Sequence, residues 1–88
     1  MRDYEITILT KSLVKNGGKK LGREYLGGLN YTVQEEGKKR LAYPMSGARF
    51  AYYTTFQVKD LPEDMPRVLS TIFSNDPKII RYLIVTTN

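Results

Sequence analysis

The chain has 88 residues, of which 41% are hydrophobic, with no cysteine and no histidine: enough for one domain with a core of marginal unassisted stability, and without the groups for disulfides, thiolate nucleophiles, zinc clusters or imidazole general bases. No apolar run approaches the roughly 20 residues that span a bilayer, and the chain opens on a strand pattern without an apolar leader, so a reducing, cytosolic setting is expected. The formal charge of +5 is unevenly placed: up to Phe50 ten Lys or Arg stand against five Asp or Glu, and beyond it four against four, as expected if one end of the folded domain meets a polyanion, with a solvated basic surface as the plainer alternative.

In chain order, residues 2–10 alternate Tyr4, Ile6 and Ile8 with Glu5 and Thr7, the period of a strand. Five of the seven glycines follow, at positions 17, 18, 22, 27 and 28. Each glycine inside a helix costs about 1 kcal/mol against alanine, so a helix is expected only over 19–26, anchored by Leu21 and Tyr25. From Leu29 to Met45 the pattern is extended, with a bulge or bend at Gly37. Ser46, Gly47 and Ala48 make a turn. The next strand, 50–59, puts Phe50, Tyr52, Thr54, Phe56 and Val58 on one face, which reads as a core stripe, and Ala51, Tyr53, Thr55 and Gln57 on the other. A second helix is predicted from Leu61, Met65, Val68, Leu69, Ile72 and Phe73 on one apolar face. Asp60 and Glu63 have capping-box spacing, but Pro66 is tolerated only in a first turn, so the regular helix begins near Asp64 or follows a looser turn. It ends at 74–77. Residues 79–86 are a last strand rich in β-branched side chains.

Three motif-like features bear on chemistry. Gly17-Gly18-Lys19-Lys20 resembles a phosphate-binding loop but lacks its earlier glycine and the hydroxyl residue after the lysine. Arg49-Phe50-Ala51-Tyr52-Tyr53 resembles the aromatic strand of RNA-recognition modules, yet alternation aligns Phe50 and Tyr52 with Phe56, and core packing is the simpler reading. Glu35 and Glu36 are a close carboxylate pair on the long extended stretch, and neighbours on a strand point to opposite faces unless the bulge re-aims one, so they do not make a catalytic dyad.

The most specific segment is Gly37-Lys38-Lys39-Arg40-Leu41-Ala42-Tyr43-Pro44-Met45, a basic triplet running into an apolar strand that stops at proline. With Met1-Arg2-Asp3-Tyr4-Glu5-Ile6 at the start, Phe56-Gln57-Val58 leading to Pro62-Glu63-Asp64, and Arg81-Tyr82-Leu83-Ile84-Val85 near the end, it resembles the bacterial small-subunit ribosomal protein S-six family over essentially the whole chain. The resemblance implies one α+β domain over 1–88, a ferredoxin-like β-α-β-β-α-β fold with two helices on one face of a four-stranded antiparallel sheet, the first helix here short or irregular. It implies a structural role on the platform of a cytoplasmic, or organellar, ribosome: binding the central domain of small-subunit rRNA together with ribosomal protein S-eighteen, with no catalytic residues, metal or cofactor. A stand-alone RNA-binding module or a regulatory domain of this fold is the alternative. A small phosphatase of the fold needs an arginine in the loop after the first strand, and residues 10–18 hold only lysines.

Carried over by position, the rRNA-facing candidates are Arg2, Lys39, Arg40, Arg49 and Arg81, with Lys38 and Lys78; the partner-facing candidates are Tyr4, Tyr43 and Tyr53, whose apolar bodies and polar tips suit an interface. Alternation separates Lys38 and Arg40 from Lys39, so two of the triplet are expected to reach one phosphate groove. The chain departs from the family at Glu36, where an apolar residue is usual, in its short first helix, in the missing C-terminal tail, and in one extra residue between Asp76 and Arg81.

Overall fold

The computed structural model describes residues 2–11, 17–45 and 47–87, with the backbone alone at Gly17 and Met45. Strand β1 (Arg2–Thr10) leads to helix α1 (Gly17–Leu26), strands β2 (Asn30–Met45) and β3 (Ala48–Leu61), helix α2 (Met65–Asn75) and strand β4 (Ile79–Thr86). The sheet order is β2-β3-β1-β4, and every neighbouring pair is antiparallel. This is the ferredoxin-like α+β fold. β3 lies inside the sheet, between β2 and β1. The turn expected over 46–48 is described only from Gly47 onward.

One face of the sheet carries the main core. Ile6 and Ile8 from β1 with Phe56 and Val58 from β3 meet Leu21, Tyr25 and Leu26 of α1 and Leu69 and Phe73 of α2. Tyr31 turns its ring edge to Phe56 at 6.0 Å between centroids, and Phe73 stands between Tyr25 and Tyr82 at 5.1 and 5.4 Å. On the other face a smaller cluster gathers Leu9, Leu41 and Ala51, with Tyr53 and Ile80 against it.

Helix α1 begins two residues earlier than propensity predicts, at Gly17, because its glycines serve the packing. A Cβ at Gly22 would lie 2.6 Å from the Tyr31 ring, and one at Gly18 would lie 2.8 Å from Val33 and Glu35. Their absence lets α1 approach β2 more closely than a helix of larger residues could. The N–H of Gly18 donates to Glu35 Oε1 at 2.5 Å, so a carboxylate from β2 satisfies one of the unpaired donors of the first turn and sits favourably at the positive end of the helix dipole.

The expected capping box does not form. Asp60 still belongs to β3, at a one-residue register shift where its φ is +55°, a left-handed conformation that aspartate tolerates better than most residues, and its N–H donates to Asp3 Oδ1. The N-cap of α2 is Asp64, whose side chain makes no capping bond, and Pro66 falls in the first turn. The predicted apolar face of α2 also divides. Leu69 and Phe73 are buried, while Val68 and Ile72 are exposed. Ile72 lines a groove with Glu24 and Tyr25 of α1, surface left open because α1 is short.

Across the lower end of that groove the Tyr25 hydroxyl donates to Asp76 Oδ2, and Lys78 Nζ pairs with Glu24 at 3.0 Å. Burial pushes the Tyr25 pKa well up, aided by the Asp76 carboxylate. Burial also works to raise that of Asp76, but hydrogen bonds from Tyr25 and the Lys78 N–H, with the Lys78 charge, outweigh it and leave the carboxyl below its ordinary value. The depressed Asp76 pKa contributes stability above the unfolded carboxyl pKa of about 4, lost as pH falls through the lower folded value; the raised Tyr25 pKa contributes stability below about pH 10, lost as pH rises through the folded value. Tyr25→Phe is expected to cost about 1–2 kcal/mol at pH 7, with the difference from the parent shrinking at pH 2–3 as Asp76 takes up a proton. Urea unfolding at both pH values checks this; equal stability of the two proteins at pH 7 would show that the bond contributes nothing.

Candidate nucleic-acid interface

β1 is 9 residues long, β2 is 16 and β3 is 14. The last residue of β1, Thr10, pairs with Tyr52, so the described residues from Lys38 through Tyr52 run from the end of β1 and beyond it as a two-stranded arm. Residues 37–54 contain Lys38, Lys39, Arg40 and Arg49 and no Asp or Glu. The arm is therefore a projecting carrier of net positive charge.

Two irregularities shape it. Between Glu35 and Gly37 the register with β3 shifts by one residue, leaving Glu36 as the extra one, and Gly37 takes φ +81°, which a residue with a Cβ adopts only under strain. This is the bulge that the sequence predicts. It leaves the two carboxylates on opposite faces: Glu35 on the α1 N-terminus, and Glu36 accepting from Thr55 Oγ1 at 2.5 Å and pairing with Lys39 at 3.2 Å. The Thr55 hydroxyl and then Lys39 hold the Glu36 carboxyl below the ordinary range.

The second irregularity is larger. Arg40 pairs with Phe50 and Met45 with Ala48, so Leu41, Ala42, Tyr43 and Pro44 bow out opposite Arg49 alone. Pro44 has no N–H to donate to the ladder, and Leu41 anchors the bow by burying its side chain against Leu9 and Ala51. The bow encloses a groove of about 280 Å3 lined by Arg40 through Pro44 and by Arg49. Arg40 and Arg49 thereby line one concavity, and neither makes a salt bridge among the described residues. A guanidinium is a planar forked donor that matches phosphate oxygens. Tyr43 stands on the rim, 63% exposed.

The remaining predicted residues scatter. Lys38 and Lys39 are on the arm but on opposite faces, Lys38 with its ammonium 4.8 Å from the Phe50 ring centre and Lys39 5.0 Å from that of Tyr53. Arg81 pairs with Leu9 and is exposed on β4; the β1–β4 register shifts at Ile80, between the pairs Leu9–Arg81 and Thr10–Ile79. Lys78 is held by Glu24 and Asp76 on the helix side. Arg2 lies at the far end of β1 from the arm, in a shallow groove with Tyr4, Leu61 and Glu63. The three tyrosines do not share a face: Tyr4 packs against the main core, Tyr53 against the smaller cluster, and Tyr43 faces solvent.

Phe50 is the residue that alternation misplaces. It shares a face with Phe56 but lies beyond the area the helices cover, and it is 45% exposed rather than part of a core stripe. The signal was present in strand lengths: β1 is too short to extend the core as far as Phe50.

The family described as Ribosomal protein S6 matches residues 3–86 of this chain. A protein named small ribosomal subunit protein bS6, from Clostridium novyi (strain NT), is 33% identical over 92 residues, covering 97% of this chain and 96% of its own. In fold, the chain is similar to the crystal structure of 30S ribosomal protein S6 from Thermotoga maritima, with a TM-score of 0.75 at 19% identity, over 98% of this chain and 87% of that one. The chain therefore belongs to the ribosomal protein S6 family, as a structural constituent of the small subunit of the cytoplasmic ribosome and not an enzyme.

Proposed function

We propose that this protein binds the central domain of small-subunit rRNA through the β2–β3 arm, and does so together with ribosomal protein S-eighteen. The observation that carries the reading is the convergence of Arg40 and Arg49 on the groove behind the Leu41–Pro44 bow. Lys38 adds a cation one turn of the ladder away, whereas Lys39, paired with Glu36, brings less net charge. Contacts of this kind grip the backbone of folded RNA and position the protein without reading sequence. The sheet face away from the helices suits the protein partner: Tyr53, Leu83 and Val85 lie on it, and the last two are exposed.

The test is a titration of a central-domain rRNA fragment with this protein, alone and mixed with S-eighteen, at several salt concentrations. Tight binding is expected only in the mixture. Replacing Arg40 and Arg49 together by glutamine is expected to weaken it about 10-fold or more and to flatten the dependence of log K on log salt by roughly 1–2 units, since each phosphate contact contributes about 0.7–0.9. An unchanged affinity and slope would remove the arginine groove from the interface. Binding indifferent to S-eighteen would favour a stand-alone RNA-binding module.

A further inference from the structure

We propose that Phe50 is a stacking platform on which one unpaired RNA base lies, with Lys38 and Arg40 taking the phosphates that flank it. The inference rests on the arm being the RNA-facing surface and goes beyond charge, because it assigns a base contact to a residue whose surroundings explain nothing else about it.

An exposed phenylalanine on a projecting strand gains nothing from the core. Phe50 is a member of neither core cluster, and nearly half its surface is open. Around it the arm is arranged in rows. Arg40 is directly opposite Phe50 and Lys38 directly opposite Tyr52, so two cations and two rings alternate on one face. Directly opposite side chains have Cβ atoms about 4.5–5.5 Å apart, close enough for a base on the ring and its phosphates on the cations. The carboxylate nearest along β2 on this face, Glu35, is turned to the α1 N-terminus, and Glu36 is on the other face with Thr55.

The Lys38 ammonium now sits over the ring. Such a contact at an exposed site is weak and the lysine stem is flexible, whereas a base on an aromatic ring stacks more strongly and is worth a measurable share of single-strand affinity. A base can therefore displace Lys38, which moves outward to phosphate and keeps its charge compensated. A polyanion without rings would leave the ammonium where it is. A partner that is both polyanionic and planar fits the whole row. RNA supplies that chemistry in unpaired loops and bulges, where bases are free to splay out.

The chain has no tryptophan, so Phe50→Trp installs a reporter on the platform itself; its emission is read as the difference between variant and parent, each mixed with S-eighteen. Saturation with the rRNA fragment is expected to quench that emission by half or more, while heparin, a polyanion without bases, binds without quenching. Phe50→Leu is expected to lower rRNA affinity about 5- to 100-fold with the salt slope unchanged, the opposite pattern to the arginine substitutions. Parent-like affinity of Phe50→Leu with an unquenched tryptophan, alongside a steep salt dependence, would overturn the platform and leave the rRNA reading standing. Equal quenching by heparin would also overturn it, since the signal would then report displaced charge. Failure of the parent mixture to bind the fragment would overturn the rRNA reading, and the platform with it.

Discussion

Phe56→Ala is expected to lower the unfolding free energy by about 3–5 kcal/mol, the usual range for truncating a fully buried phenylalanine. Phe56 has no exposed surface. It lies on the central strand, with Ile6 of β1 on one side and Val33 of β2 on the other as its register partners, and the Tyr31 edge abuts its ring. Removal leaves a cavity that a sheet cannot close, because the strands on both sides are held at fixed spacing by their hydrogen bonds. A small domain has only about 5–15 kcal/mol in total, so the variant should lose a large share of its cooperative transition. Urea denaturation followed by circular dichroism measures this; a loss below about 1 kcal/mol would mean that the helices re-pack over the gap. Phe50→Ala, on the same face of the same strand, should change stability by no more than about 0.5 kcal/mol, which makes the pair an internal comparison between core and arm.

The second large effect is expected at Gly22. By helix propensity alone, replacing a mid-helix glycine should stabilise the protein, by about 1 kcal/mol for alanine and less for valine. The structure reverses the sign. The new Cβ would meet the Tyr31 ring at 2.6 Å, and that ring is backed by Phe56, so it cannot retreat without opening the core. Overpacking of this kind typically costs about 1–3 kcal/mol. Gly22→Val, which adds branching where there is least room, should therefore lose about 2–3 kcal/mol, and Gly22→Ala less, its strain partly offset by propensity. A thermal melt in which either variant exceeds the parent would show that α1 can lift from β2 at little cost.

Gly22 marks the limit of what could be read from one dimension. Its cost to an isolated helix is a local property and is visible in the sequence. Its benefit depends on Tyr31, nine residues away on another element, and on the distance at which a helix and a strand come to rest. The same holds for Asp60 and Glu63. Their spacing is that of a cap, but the chain first spends Asp60 at a register shift of β3, a matter of how β1 and β3 align and not of local preference. For Val68 and Ile72 the periodicity was right and the burial was not, since a helix can hide only as much of its surface as the neighbouring layer is wide.

The candidate site residues divide along the same line. The basic triplet, the following Leu-Ala-Tyr-Pro, the bulge at Gly37 and the order of strands and helices were all legible, because alternation, proline's missing donor and glycine's tolerance of positive φ are properties of residues and their immediate neighbours. That Arg40 and Arg49 share a groove was not. They are close only because four residues of β2 bow out against one of β3. Nor could spacing show that Lys78 is drawn to Glu24, 54 residues earlier, or that Arg2 lies at the other end of β1 from the arm.

The sequence by itself determined the architecture, the placing of the main core and the sign of the charge on the arm, since these follow from the period of apolar residues and from composition. Only the tertiary structure decided which cations remain free for a polyanion and which aromatic rings remain open. Those outcomes depend on where one strand outruns its neighbour and on which distant carboxylate arrives beside each ammonium, and both are set by packing across the sheet rather than along the chain.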